Sequence, residues 1–376
     1  MPEEVKKEVK ILGAGPAGLV AAITLAKAGY FVTVFEKNAD CGMRFHGDYQ
    51  GLENWTRQKD ILQDIRDMGI ISDFDYTPFS EMILCGPDLK KHLVRSERPN
   101  YYLVRRGDAT HGNTLDQALK RQALAAGVHI QFSTIVKEED VTIIAPGSSG
   151  GDAIGHGITF DTNAPTTAIT LLDNDAAPAG YAYLFVVNGK GAIVTWYFRD
   201  FHDSKKFLDA AIARFDKITQ MERSNIKEFG GAVNFFLEKN YTHDGKLRAG
   251  EGAGLQDFFA SFGMRYAITS GYLAARSVID GLNYDTLVKR RFQDQLDASL
   301  VNRFIWERMS NRQYLLFLRK MDLKEDTQQF LRGFYAMPLW KKFLLPFVKW
   351  SMGAKKKEHR YNCECTWCRS KEQELN

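Results

Sequence analysis

The residues best suited to chemistry stand in the first tenth of the chain: Gly13, Gly15, Gly18 and Glu36. A short apolar run at 9–12 reads as a buried strand, followed by an apolar helix over 16–28 and a second strand over 31–35 that ends at Glu36. Gly13 permits the tight strand-to-helix turn, Gly15 lets the backbone approach a pyrophosphate, and Gly18 lets helix and strand pack closely. Pro16 and Ala17 open the helix, whose first N–H groups lack partners and favour phosphate. Glu36, followed by Lys37, is spaced to accept hydrogen bonds from the hydroxyls of an adenosine ribose. A glycine-rich turn alone says little. Here strand, glycines, helix, second strand and acid follow in order within ~30 residues, the length of one βαβ unit, which points to a dinucleotide site.

A second constellation lies at 246–279, KLRAGEGAGLQDFFASFGMRYAITSGYLAARSVI. A short strand meets Gly250, Glu251 and Gly252, and after a loop Gly263 and Met264 begin a helix. Between the two constellations, an apolar run at 141–145 enters a glycine cluster at 146–151. That cluster is either a plain loop or the place where the chain crosses between lobes beside the dinucleotide.

GAGPAGLVAA with the Glu36-Lys37 pair, the Ala145-Pro146-Gly147 element and GEGAG…FGMRYAITSGYLAA together resemble flavoproteins of the glutathione-reductase-like, hydroxybenzoate-hydroxylase-type fold. Within these, the resemblance is to the geranylgeranyl reductase family, over roughly residues 5–285. It implies FAD. Glu251, where the family usually has Asp, would hold a ribityl or ribose hydroxyl. Arg44 would lie against the flavin or its phosphates, Gly147 beside them, and the helix from Gly263 and Met264 would aim N–H groups at the flavin pyrimidine edge. Members often carry a Tyr-x-Trp-x-Phe-Pro strand lining the substrate pocket; here Tyr181, Tyr183 and Phe185 keep the aromatic positions, with Val186 in place of Pro. The cysteine that some members carry soon after the second strand is missing, Cys41 being out of register. No second GxGxxG in a βαβ context occurs, so electrons would come from NAD(P)H or another external donor.

The resemblance implies reduction of C=C bonds in an isoprenoid lipid or prenylated quinone, with hydride from flavin N5 and a proton from an acid or water. His46 is the nearest candidate proton donor, its ordinary pKa of ~6.5 suiting acid work at neutral pH, or it is simply a histidine hydrogen-bonded near the cofactor. Tyr183 is a second catalytic candidate. Tyr181, Tyr183, Phe185 and Trp196 alternate on two paired strands, giving an aromatic face that is either core or a wall for an isoprenoid chain. Two alternatives stand beside this one: a flavin monooxygenase or halogenase on the same scaffold, the halogenase disfavoured by the lack of a WxWxIP motif, and a non-catalytic FAD-containing membrane adaptor.

These sites need an α/β chain with a discontinuous Rossmann-like FAD-binding domain (1–80, 101–175 and 246–285), a β-rich substrate domain (81–100 and 176–245) and a helical C-terminal region (286–376). Helical spacing marks 61–68, 115–126 and 204–219. Strands are expected at 82–84, 101–104, 128–132, 168–172, 181–187 and 192–198, the last two joined by a turn at Asn188-Gly189. Residues 87–100 read as a loop or insertion. The 376 residues allow a large core and two lobes, and a net charge of +4 gives no reason to expect nucleic acid. Residues 1–10 are polar and charged, unlike a signal peptide, and no apolar run reaches the ~18 residues of a membrane span. Five cysteines, three of them near the C-terminus, do not resemble a disulfide framework. The expected location is cytoplasmic, with peripheral attachment to the inner membrane face as a variant.

That variant rests on the tail. Residues 338–352 place Trp340, Phe343, Leu344 and Phe347 on one helical face with Lys341, Lys342 and Lys349 mostly elsewhere, and further basic residues reach to 360. This fits either an interfacial membrane helix or a terminal helix packed on the body, with Pro346 expected to interrupt or kink it. His359, Cys363, Cys365 and Cys368 are four soft ligands within ten residues, read either as a structural zinc site or as free thiols.

Overall fold

The computed structural model describes residues 7–148, 151–233, 235–322 and 326–353. A six-stranded sheet runs in the order Thr242–His243, Lys246–Arg248, Ile143–Ile144, Glu8–Leu12, Phe31–Phe35, His129–Gln131; only the first pair is antiparallel. Its central strands bury Val9, Ile11, Val32, Val34, Ile143 and Ile144, as a parallel sheet covered by helices requires. Leu12 pairs with Ile144, and Ile144 with Arg248. This register sets the carboxyl ends of three adjacent strands abreast, where open α/β sheets bind ligands.

Helix Pro16–Lys27 is almost wholly buried and crosses helix Met264–Asp280. The crossing is close because Gly271 has no side chain: a Cβ there would stand 2.1 Å from the Ala17 carbonyl oxygen. A seven-stranded sheet, in the order Ser224–Val233, Ala153–Asp161, Lys190–Tyr197, Tyr181–Val187, Thr167–Leu171, Glu81–Cys85, Lys91–Arg95, forms the second layer. Its hairpin turns at Asn188 (φ 48°) and Gly189 (φ 78°), the two left-handed residues that match strand twist. A three-stranded sheet of Tyr49–Glu53, Tyr101–Arg105 and Tyr76–Phe79 bridges the layers, and helices from Tyr284 onward pack over both.

Several segments differ from the sequence reading. Residues 87–100 are not a plain loop, since Lys91–Arg95 pairs with Glu81–Cys85 as an edge strand whose polar side chains hide its period. Ala153–Asp161 and Thr167–Leu171, expected in the FAD-binding domain, pair in the seven-stranded sheet instead. The glycines in AIGHGITFD masked the first of these: Gly155 makes room for the Trp196 indole and Gly157 for the Ile193 carbonyl. Helix Leu339–Gly353 runs on through Pro346 rather than breaking there; Val348 is fully buried and Lys349 pairs with Asp297 at 2.9 Å, so packing offsets the missing backbone bond.

Gly271→Ala should cost about 2 kcal/mol, because the added methyl must push two helix backbones apart. Urea unfolding of the full chain checks this; an unchanged midpoint would show that the crossing is looser than described.

Candidate functional site

Three turns meet at the carboxyl edge of the parallel sheet. Gly13 (φ 96°) turns the first strand into its helix; a Cβ there would lie 2.1 Å from the Ala145 carbonyl oxygen. A Cβ at Gly18 would lie 1.9 Å from the Gly13 carbonyl oxygen. Both glycines are required by backbone contact. Gly15 is different, because a Cβ there would meet nothing within 4 Å. It faces open space at the start of a helix that has Pro16 in its first turn, no side-chain cap and no acid. That is what an anionic group approaching the backbone needs. Ala17, buried beneath, supports the rear turn: a Cβ on Gly250 (φ 70°) would stand 3.1 Å from the Ala17 Cβ.

Glu36 is held in place by the turn it serves. Its carboxylate accepts from the Ala14 N–H at 2.9 Å and from the backbone and side-chain N–H groups of Asn38 at 3.0 and 2.7 Å. A carboxylate has about four acceptor positions, so one remains for a ribose hydroxyl. Lys37 beside it is exposed.

Arg44 and Glu251, read separately from the sequence, form one ion pair at 2.9 Å that links the front loop to the rear glycine turn. Arg44 also donates to the Ala232 carbonyl at 2.5 Å, and a Cβ on Gly147 (φ 81°) would lie 3.8 Å from its Nη1. The loop carrying Arg44 is pinned from behind. Gly42 abuts the Gly107 carbonyl, and Phe45 lies under the Arg106 guanidinium at 4.0 Å. Arg106 is in turn fixed by two 2.8 Å bonds to buried Asp116. His46 is exposed, 5.7 Å from the Phe229 ring, and its backbone N–H donates to the buried Asp48 carboxylate at 3.1 Å. Cys41 is buried and its thiol pKa is pushed well up by desolvation, so it is not a reactive thiolate.

Helix Met264–Asp280 starts at Gly263 with no side-chain cap and no acid in its first turn. The loop before it is anchored from three elements: Tyr181 donates to the Ala260 carbonyl at 2.7 Å, Arg303 to that of Phe259 at 3.3 Å, and Tyr335 to Asp257 at 3.1 Å. Asp257 is the feature that sequence reasoning missed; a lone acid in an apolar loop was its only signal. It is 1% exposed, and its Oδ2 accepts from the Ala260 N–H at 2.6 Å. Burial pushes its pKa up to about 6.

The aromatic face divides in two. Tyr183 and Phe185 are buried, stack at 4.2 Å, and belong to the core with Tyr49, Trp55 and Trp306; the Tyr183 hydroxyl donates to the Tyr49 carbonyl at 3.4 Å. Tyr181 and Trp196 are half-buried at its margin. His359, Cys363, Cys365 and Cys368 lie outside the described residues, and among the described residues no group of three or more His, Cys, Asp or Glu side chains could hold a metal.

With the geometry in place, comparison with known proteins identifies the fold. The family of NAD(P)-binding Rossmann-like domains matches residues 11–50. No curated relative matches the chain. Among solved structures, the chain is similar to a geranylgeranyl bacteriochlorophyll reductase-like protein from Thermoplasma acidophilum, at 18% identity and a TM-score of 0.70, over 91% of this chain and 100% of that one. It is also similar to a flavin-dependent brominase (15%, TM-score 0.62, 93% and 98% covered) and to p-nitrophenol 4-monooxygenase from Pseudomonas putida (13%, 0.63, 92% and 98%). At these identities the likeness is one of fold, and it extends over nearly the whole chain.

Two outcomes follow. Gly15→Val should leave the stability of the flavin-free protein nearly unchanged and abolish dinucleotide retention, since the new side chain enters only the open cleft; equal retention by variant and wild type would contradict the site. Asp257 binds its proton more tightly folded than unfolded, so its contribution to stability is full below pH 3.8 and is lost as pH rises through about 6. Asp257→Asn should therefore flatten the fall in stability over that range, by on the order of 3 kcal/mol. Parallel pH curves for variant and wild type, from urea midpoints, would refute this.

Proposed function

We propose that this chain is an FAD-dependent oxidoreductase that reduces C=C bonds of a hydrophobic, isoprenoid-type lipid or prenylated quinone, using NAD(P)H or another external donor. The observation that carries the cofactor is the open face of Gly15 in a turn whose other two glycines are closed by backbone contact, together with the Arg44–Glu251 pair that links this front loop to the rear turn. The residues fit the group: an uncapped helix start for the pyrophosphate, a fixed Glu36 for the ribose, and a second uncapped helix start at Gly263 for the negative edge of a reduced ring. When bound, FAD would supply the hydride chemistry. The chain would orient it through these groups, present Tyr181 and Trp196 to the substrate, and pass a proton through His46 or water to the second carbon. Reduction is preferred over oxygenation because the motif resemblance and the similarity to a reductase-like structure point the same way.

The same fold in a brominase and a monooxygenase supports a second reading, oxygenation. Protein reduced without oxygen and mixed with geranylgeranylated lipids should yield products heavier by two hydrogens per double bond. Unchanged lipid, together with substrate-stimulated oxygen consumption in air, would replace reduction with oxygenation. Reduction by dithionite but by no biological donor would favour the non-catalytic adaptor.

A lipid substrate also gives the outer helix a use. No helix among the described residues is long and apolar enough to cross a membrane. Helix Leu339–Gly353 packs on the body through Val348, yet Leu339 (74%), Phe343 (82%) and Trp350 (71%) are largely exposed, with Trp340 and Phe347 half exposed on the same side. Lys341 is buried on the opposite side, where it donates to the Phe334 carbonyl, and burial lowers its pKa to about 8. The face thus carries what an interfacial helix inserts between headgroups. Phe343→Ser should lower retention on phosphatidylcholine–phosphatidylglycerol vesicles about tenfold, the worth of one large apolar side chain, with no change in melting temperature. Equal retention would remove the membrane reading and leave the FAD reading standing.

A further inference from the structure

Helix Tyr284–Trp306 and the loop after strand Tyr49–Glu53 flank a half-open cavity of about 370 Å³. Arg57, Lys289, Arg290 and Arg291 line it with Gln295, and Asp294 is its single acid. The walls are fixed: Gln295 donates to the Thr56 carbonyl at 3.3 Å, and Lys289 to Asn240 at 3.2 Å. Behind the cavity, Lys59 pairs with Asp67. Asp64 is shared among Lys59, Arg265 and Arg291 at 3.5, 3.6 and 3.9 Å, and Glu53 is taken by Arg265 at 3.1 Å. Arg291 is largely buried, and its Nη1 has no hydrogen-bond partner in the protein. Burial first, then the neighbouring Arg57 and Arg265, lower the Arg291 pKa to about 10. Arg291 reaches the cavity with the rest of its side chain, and cationic groups gathered this closely are costly unless an anion joins them.

We propose that this cavity is a binding site for a phosphate ester, with Arg57 and Arg291 as its principal donors and Lys289 and Arg290 at its rim. Planar guanidinium groups donating in pairs are suited to phosphate oxygens. The ester can belong to a lipid headgroup or to a free phosphorylated compound. One connection favours the headgroup. Gln293, also in the cavity wall, donates to Asp297 at 3.0 Å, and Asp297 pairs with Lys349 on the inner side of the helix whose outer face exposes Phe343 and Trp350. The site does not depend on the flavin reading.

Titration calorimetry of the full chain with inorganic phosphate at constant ionic strength should show saturable binding, weakened about tenfold or more in Arg57→Gln and in Arg291→Gln. Arg290→Gln serves if Arg291→Gln fails to fold. Visible absorption of all variants should match wild type. A parallel arm measures sedimentation with vesicles of phosphatidylcholine alone or with phosphatidic acid. Arginine-dependent capture by the acidic vesicles assigns the lipid headgroup, and phosphate binding with unaltered vesicle capture assigns a free ester. Absence of saturable phosphate binding, or equal affinity in wild type and every variant, overturns the proposal.

Discussion

The structure depends on the contact of two helix backbones at Ala17 and Gly271. The helix that follows the first strand and the helix that follows the rear glycine turn lie some 240 residues apart in sequence. Only where one presents a glycine to the other's carbonyl can they approach this closely. That approach seats Gly250 on Ala17 and brings the front and rear turns to one edge of the sheet. A ligand held there is gripped by both ends of a long chain, which makes such a site sensitive to packing far from the ligand.

Around that contact, polar groups are arranged from outside inward. Arg106 and Asp116 form a buried two-bond pair that holds Phe45, Phe45 fixes the loop of Arg44, and Arg44 meets Glu251 across the crevice. On the far side Tyr181, Arg303 and Tyr335 fix the loop that ends at Gly263. Tyr181 comes from the large sheet and Arg303 and Tyr335 from the C-terminal helical region, so both layers bear on one loop. The C-terminal region is therefore part of the scaffold of the site as well as a candidate docking surface.

How much of this the sequence disclosed follows from the range of the interactions. The opening strand, helix and second strand are local and strongly periodic, and Gly13, Gly15, Gly18 and Glu36 take the places their spacing implied. The role of Gly271 could not be read, because it depends on a partner more than two hundred residues away. Arg44 and Glu251 were each noticed, but their pairing is tertiary. Strands Tyr49–Glu53 and Ser224–Val233 went unseen, since YQGLE and SNIKEFGGAV lack an apolar alternation and owe their form to their neighbours. Asp257 shows the same limit: nothing in LQDFF says that the carboxylate is sealed from water.

The two glycine turns would hold one flavin dinucleotide between them. Visible absorption of the full-length protein after reconstitution with excess FAD and removal of unbound flavin tests it most directly. A yellow protein with equimolar FAD, bleached on reduction, is expected; a colourless protein after the same treatment would rule out a flavin between the two turns.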